Sequence, residues 1–259
     1  MQDLSLAAFS EALTHGITWF VVATTLISGI VRGFSGFGGA LIFIPVVSAA
    51  LGPRIAVPTF YLSDLGSATP YGIASVRKCN WAMVLPMLLG TWIAQPFGAI
   101  LLETLNPLAL RWGMAAMVFA MLALLLTGWR FRGQPRTWLT FAVGIFAGGI
   151  GGATGISGPP VIAYWLGGRT DAALTRANIM VYYAFSSMAI DVIYFFKGIF
   201  TAQIFFYALL VWPCYAAGLA IGARLFGVAS DQTFRRVAYA LVAISAVISM
   251  PIFDGLVRP

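Results

Sequence analysis

Residues 32–39 read Arg32-Gly33-Phe34-Ser35-Gly36-Phe37-Gly38-Gly39, and residues 148–160 read Gly148-Gly149-Ile150-Gly151-Gly152-Ala153-Thr154-Gly155-Ile156-Ser157-Gly158-Pro159-Pro160. Each run interrupts strongly apolar sequence. In a helix interior Gly is about 1 kcal/mol worse than Ala, and Pro about 3, so both backbones are expected to unwind. Around these breaks the chain repeats itself. At an offset of 119 residues, Gly29, Gly33, Ser35, Gly36 and Gly39 fall on Gly148, Gly152, Thr154, Gly155 and Gly158. Slightly different offsets bring Arg77 over Lys197, Gly98 over Gly218 and Arg111 over Arg235. The expectation is one unit used twice, over residues 1–129 and 130–259, with the boundary at the basic turn Arg130–Arg136.

The composition says what surrounds the breaks. Of 259 residues, 60% are hydrophobic and 9% charged, against about 25% charged in ordinary soluble domains. That excludes a soluble globular enzyme and points to an all-α polytopic membrane protein. Ten apolar stretches are separated by charges, Gly or Pro: 17–31, 34–51, 55–75, 81–102, 107–129, 138–152, 157–167, 177–196, 203–226 and 234–253. Each half therefore holds four to five hydrophobic segments. The pairs flanking the two breaks are mostly shorter than the roughly 17–25 residues of a spanning helix, so each pair reads as a broken or re-entrant hairpin. Residues 1–16 carry Asp3 and Glu11 and no Lys or Arg, unlike a secretory signal.

Charge gives the orientation. The links near 77–80, 130–136, 167–176 and 224–236 carry Arg77, Lys78, Arg130, Arg132, Arg136, Arg169, Arg176, Arg224, Arg235 and Arg236 against Asp171 and Asp231. On the other face Arg54, Arg111, Lys197 and Arg258 are balanced by Asp3, Glu11, Glu103 and Asp254. Positive-inside reasoning makes the first face cytoplasmic and places both termini outside, in a multi-pass inner (plasma) membrane protein. An odd number of crossings per unit inverts the second copy relative to the first. Inverted repeats with interrupted segments in corresponding places point to a secondary transporter and its binding site.

Unwound backbone at membrane depth persists only where protein buries it or where it lines a cavity. A restarting helix offers free N–H groups and a partial positive charge, which suit an anion. Gly36, Gly38, Gly39, Gly155 and Gly158 are therefore candidate substrate contacts, with Ser35, Thr154 and Ser157 as hydroxyl donors. The competing reading is that the glycines only allow close helix packing. Arg32 lies beside the first break, and its repeat partner is Gly151. It either clamps the anion or snorkels to the interface. Asp64, near the middle of its stretch, is the candidate for a coupling proton or cation, or else a buried packing group. Asp191, within two turns of Lys197, has the reach of the outer interface. Asn178, Tyr182, Tyr183 and Gln95 are polar residues that either line a path or anchor and pack.

Other chemistries find little support. One histidine, His15, and two isolated cysteines, Cys79 and Cys214, exclude a Cys/His metal cluster and a disulfide framework, and no cofactor motif is present. Gly33-Phe34-Ser35-Gly36 and Gly155-Ile156-Ser157-Gly158 resemble the Gly-x-Ser-Gly motif of rhomboid intramembrane proteases. A serine nucleophile needs a base within reach, and no candidate span contains a histidine. The expectation is not an enzyme. The formal charge of +7 is explained by topology rather than by nucleic acid.

The break Gly33–Gly39, the later Pro45 and the second break through Gly158-Pro159-Pro160 resemble the TauE/SafE family of sulfite exporters, over nearly the whole chain. The resemblance implies an ion-coupled or facilitated carrier of small anions, with sulfite, sulfoacetate and other organosulfur anions among its substrates. It places the family's glycine signatures at Gly33–Gly39 and Gly152–Gly158. The sequence thus predicts an alternating-access anion carrier, most naturally an exporter, with an anion channel as the alternative. Its partners would be a small anion, the lipid bilayer and a coupling ion, with the oligomeric state open.

Overall fold

The computed structural model describes residues 16–127, 136–165, 172–225, 240–248 and 250–253. The turn at 130–135, the Arg235–Arg236 pair, His15 and both termini lie outside the described residues, as do Arg169, Asp171, Asp231, Asp254 and Arg258.

The described chain is helical throughout. In order come α1 (Gly16–Ser35), α2 (Gly39–Leu51), α3 (Pro53–Ser67), α4 (Thr69–Ser75), α5 (Trp81–Thr104), α6 (Pro107–Thr127), α7 (Thr137–Thr154), α8 (Gly158–Trp165), α9 (Ala172–Phe196) and α10 (Ala202–Leu225). A further helical stretch covers 240–248. Six of these helices (α1, α5, α6, α7, α9 and α10) are long and apolar enough to cross a bilayer. Their outer faces carry large apolar side chains, such as Phe97, Trp138, Phe195 and Leu209, each exposed by about two-thirds. The interior instead collects Thr, Ser, Asp, Gln and Arg. These polar groups sit among a larger apolar core that includes Phe43, Ile44, Met87 and Leu88, the place where polar side chains are tolerated when lipid surrounds the molecule.

Two helix pairs form the tightest contacts, and glycine makes both. A Cβ on Gly29 or Gly33 of α1 would strike the backbone of Tyr215 or Leu219 in α10, and one on Gly218 or Gly222 would strike α1 in return. In the same way Gly144, Gly148 and Gly152 of α7 face Met87, Thr91 and Gln95 of α5, while Gly90 and Gly98 face α7. Small residues let helix backbones approach where no water drives them together.

The registers of these pairs fix direction. Along α5, Gly90 meets Phe141 and Ile145, and Gly98 meets Gly149 and Gly152, so α5 and α7 run parallel. Along α1, Gly29 meets Tyr215 and Gly218, and Gly33 meets Leu219 and Ala223, so α1 and α10 are parallel too. The Asn80 N–H donates to Asn178 Oδ1 at 2.7 Å, which puts the starts of α5 and α9 together at the end that carries Arg77, Lys78, Arg136, Arg176 and Arg224. Lys197 meets Glu103 at 2.9 Å at the opposite end, beside Arg54, which donates to the last carbonyls of α5. Because α10 returns from that opposite end, α1 and α7 enter the molecule from opposite ends.

Three details depart from the sequence expectation. The glycine run Gly148–Gly152 stays helical inside α7, because its missing side chains are used to meet α5; only residues 155–157 leave the helix. The first break likewise spares Arg32–Ser35 and occupies residues 36–38, with Gly36 at φ 78° and Gly38 at φ 92°. The apolar stretch 55–75 is two helices, parted at Ala68 before Pro70.

Candidate functional site

Both breaks are built alike. The Ser35 hydroxyl donates back to the Val31 carbonyl at 2.7 Å and accepts the Phe37 N–H at 3.3 Å. The Thr154 hydroxyl donates to Ile150 at 2.8 Å and accepts the Ile156 N–H at 3.2 Å. Each hydroxyl bonds the carbonyl four residues back, as Ser and Thr do in helices, and takes up an N–H that lies just beyond the helix end. Gly36 and Gly155 then take the left-handed conformation, at φ 78° and 74°, which L side chains rarely adopt. The chain turns back in both places. Ser28 Oγ donates to the Gly39 carbonyl at 2.9 Å, holding α2 against α1. Tyr164 Oη lies 2.7 Å from Thr140 Oγ1, holding α8 against α7.

The two breaks meet at one cavity. It is lined by Phe37, Gly38 and Leu41 from the first, by Gly155, Ile156, Ser157 and Gly158 from the second, and by Arg32, Phe60, Tyr61, Asp64, Tyr183, Ser186 and Ser187. Its free space of about 20 Å³ is room for about one water.

One charge pair dominates the lining. Arg32 Nη2 donates to Asp64 Oδ2 at 2.9 Å, with the two side chains 9% and 1% exposed. Asp64 also accepts from Tyr215 Oη at 2.9 Å and from Ser187 Oγ at 3.3 Å. The guanidinium carbon of Arg32 stands 5.1 Å from the ring centroid of Tyr183, within cation–π range. Removing one partner of such a buried pair costs about 3–5 kcal/mol, so Arg32 and Asp64 hold each other in place.

The structure thus brings Arg32, Gly38, Gly155, Ser157, Gly158 and Asp64 to one lining. Ser35 and Thr154 spend their hydroxyls on the backbone. Gly39 packs against Arg32, since a Cβ there would lie 3.1 Å from that of Arg32. Gly36 faces a second cavity beyond Arg32. Arg32 is 8% exposed and does not snorkel. Asp191 does not reach the interface: it is 6% exposed, with no hydrogen-bond partner for either carboxylate oxygen among the described residues, and Glu103 takes Lys197 instead. Gln95 donates to Ser186 and Tyr182 lies 3.0 Å from Thr91, which gives both a role in holding α9 to α5.

Tyr215, Ser187 and Tyr61 are site residues that the sequence reading did not reach. Tyr215 stands 151 positions from Asp64, and no local pattern links them. Tyr61 was within reach: it lies three residues before Asp64 on the same helix face, and its hydroxyl donates to the Gly151 carbonyl at 3.1 Å. Among the described residues no group of His, Cys, Asp and Glu could hold a metal.

No curated protein and no solved structure matches the chain. The profile described as "Sulfite exporter TauE/SafE" matches residues 21–248, a span that contains both breaks, Arg32, Asp64 and every helix contact above, and the chain belongs to that family of membrane transporters.

Proposed function

We propose that this chain is a secondary transporter that carries sulfite or another small organosulfur anion through the bilayer by alternating access. The observation that carries this reading is the cavity on which both breaks converge, with buried Arg32 in its lining. Residues 1–129 and 130–259 are read as two inverted halves. In support, α1 and α7 end at Ser35 and Thr154, α2 and α8 begin at Gly39 and Gly158, and α1 and α7 run in opposite directions. Each half supplies one re-entrant hairpin. The basic end is read as cytoplasmic in an inner-membrane protein, with both termini outside.

Arg32 binds the anion, and the Asp64 carboxylate now occupies the place on it that the anion takes. Ser157 and the Gly38 and Gly158 backbones complete the shell. The exchange explains coupling. Once the anion holds Arg32, the buried Asp64 carboxylate is left without its cation, which makes it the candidate partner of a coupling proton or cation.

The test is exchange in proteoliposomes. Radiolabelled sulfite should accumulate against unlabelled internal sulfite and saturate with concentration. Large unitary currents without counterflow would show the alternative, an anion channel.

A further inference from the structure

A second cavity adjoins the first. It is lined by Gly33 and Gly36 at the end of α1, by Tyr71 and Gly72 of α4 and by Arg176 of α9. Arg32 and Tyr183 are common to both linings. The cavity lies toward the basic end: Tyr71, at its rim, is 42% exposed, and Ser75, one helical turn further on, touches Met180 of α9. Gly36, with no side chain and φ 78°, leaves open the space before Arg176; a Cβ there would come no closer than 3.9 Å to Arg176 Nε. Tyr183 spans the boundary. Its ring covers the Arg32 guanidinium at 5.1 Å, and its hydroxyl lies where a Cβ on Gly158, the first residue of α8, would come within 2.8 Å.

We propose that this second cavity is a waiting site for the anion on the basic side, and that the Tyr183 ring on Arg32 is the gate between it and the central site. The inference rests on the carrier reading and adds to it a side, a second station and a named gate. An anion in the outer station meets Arg176 and the outer edge of Arg32. It passes inward when the Tyr183 ring leaves the guanidinium, and Arg32 faces it throughout. Without the shared arginine a charge would have to cross the apolar boundary unpaired, at a cost of several kcal/mol. The Gly158 backbone lacks the side chain that would push the Tyr183 hydroxyl away, so the closed gate fits against the second break.

The test is sided labelling with methanethiosulfonate ethylsulfonate, a thiol reagent that is itself a sulfonate anion. Ser157→Cys is placed in a chain carrying Cys79→Ser and Cys214→Ser, reconstituted so that either face can be addressed; Ser186→Cys, on the same cavity, serves if that variant does not fold. The central cysteine is expected to label slowly, and Tyr183→Ala to speed labelling at least tenfold from the Arg77–Lys78 face only. Tyr183→Phe, which keeps the ring, should label like the parent. Arg176→Gln in the Tyr183→Ala chain should slow the sulfonate reagent several-fold and leave a cationic thiosulfonate reagent no slower. Equal labelling before and after Tyr183→Ala, or equal acceleration from both faces, would overturn the gate. No difference between the reagents on Arg176→Gln would overturn the waiting site. Sulfite counterflow by the wild-type chain in vesicles of the same composition is read separately, and its absence beside the expected labelling would remove the carrier reading and leave the gate.

Discussion

The first and second breaks share a geometry and differ in charge. Each ends a helix with a hydroxyl that folds back on the preceding turn, turns through a left-handed glycine and restarts at a glycine. At the matched position before the break, however, the first has Arg32 and the second Gly151. The arginine reaches the cavity, whereas a Cβ on Gly151 would lie 2.7 Å from that of Ser157, so the second hairpin is closed tightly where the first holds its cation. The lesson is that the scaffold occurs twice and the recognition charge once. On the proposed reading, one anion is held where the two breaks meet and contacts them unequally.

The strongest way to break this comparison is to remove the charge that makes it unequal. Arg32→Gln leaves Asp64 as a buried carboxylate without its cation, so the pair variant Arg32→Gln/Asp64→Asn is the better reagent. It should fold and bind sulfite at least a hundredfold more weakly, a loss of about 2.7 kcal/mol, by equilibrium binding to purified protein. Retained affinity would show that the breaks bind without the arginine.

Next in size are the packing glycines, where the halves are predicted to behave alike. Gly33→Leu and Gly152→Leu each force a side chain into a facing backbone, at Leu219 and at Gln95 respectively. Both should lose monodisperse protein on size-exclusion chromatography in detergent. Loss in one half alone would show that the two interfaces carry different loads.

Asp64→Asn sharpens the unequal side. With the carboxylate gone, nothing competes with the anion for Arg32, and sulfite should bind several-fold more tightly than to the wild type at one fixed pH, by equilibrium binding. Affinity unchanged by the substitution would show that Asp64 does not hold the place on Arg32 that the anion takes. The smallest effects belong to the hydroxyls that end the helices. Ser35→Ala and Thr154→Ala should each cost about 1 kcal/mol in stability, seen as similar falls in melting temperature, with sulfite affinity unchanged in both.

Much of this architecture was legible because it rests on local chemistry. The glycines and hydroxyls at 35–39 and 154–158 announce broken helices, and the isolated Arg32 and Asp64 stand out in apolar sequence. The exact edges were not legible: Gly148–Gly152 looks unwound until α5 is seen against it, since packing outweighs the weak helix propensity of glycine. The parting at Ala68 had a signal in Pro70, which lacks the N–H that would carry the helix across. The donors to Asp64 from Tyr215 and Ser187 are tertiary facts, joined across 151 and 123 positions.

The central claim is that both breaks and Arg32 build one anion site, and thermal stabilisation of the purified protein tests it most directly, since a ligand that binds the folded state raises its stability. Sulfite, thiosulfate, sulfoacetate, taurine, sulfate and small carboxylates would be compared on the wild type, on Ser157→Ala and on Arg32→Gln/Asp64→Asn. The account predicts a selective rise with one or more of the organosulfur anions or sulfite, weakened by Ser157→Ala and abolished in the pair variant. A rise of the same size in all three proteins would contradict it.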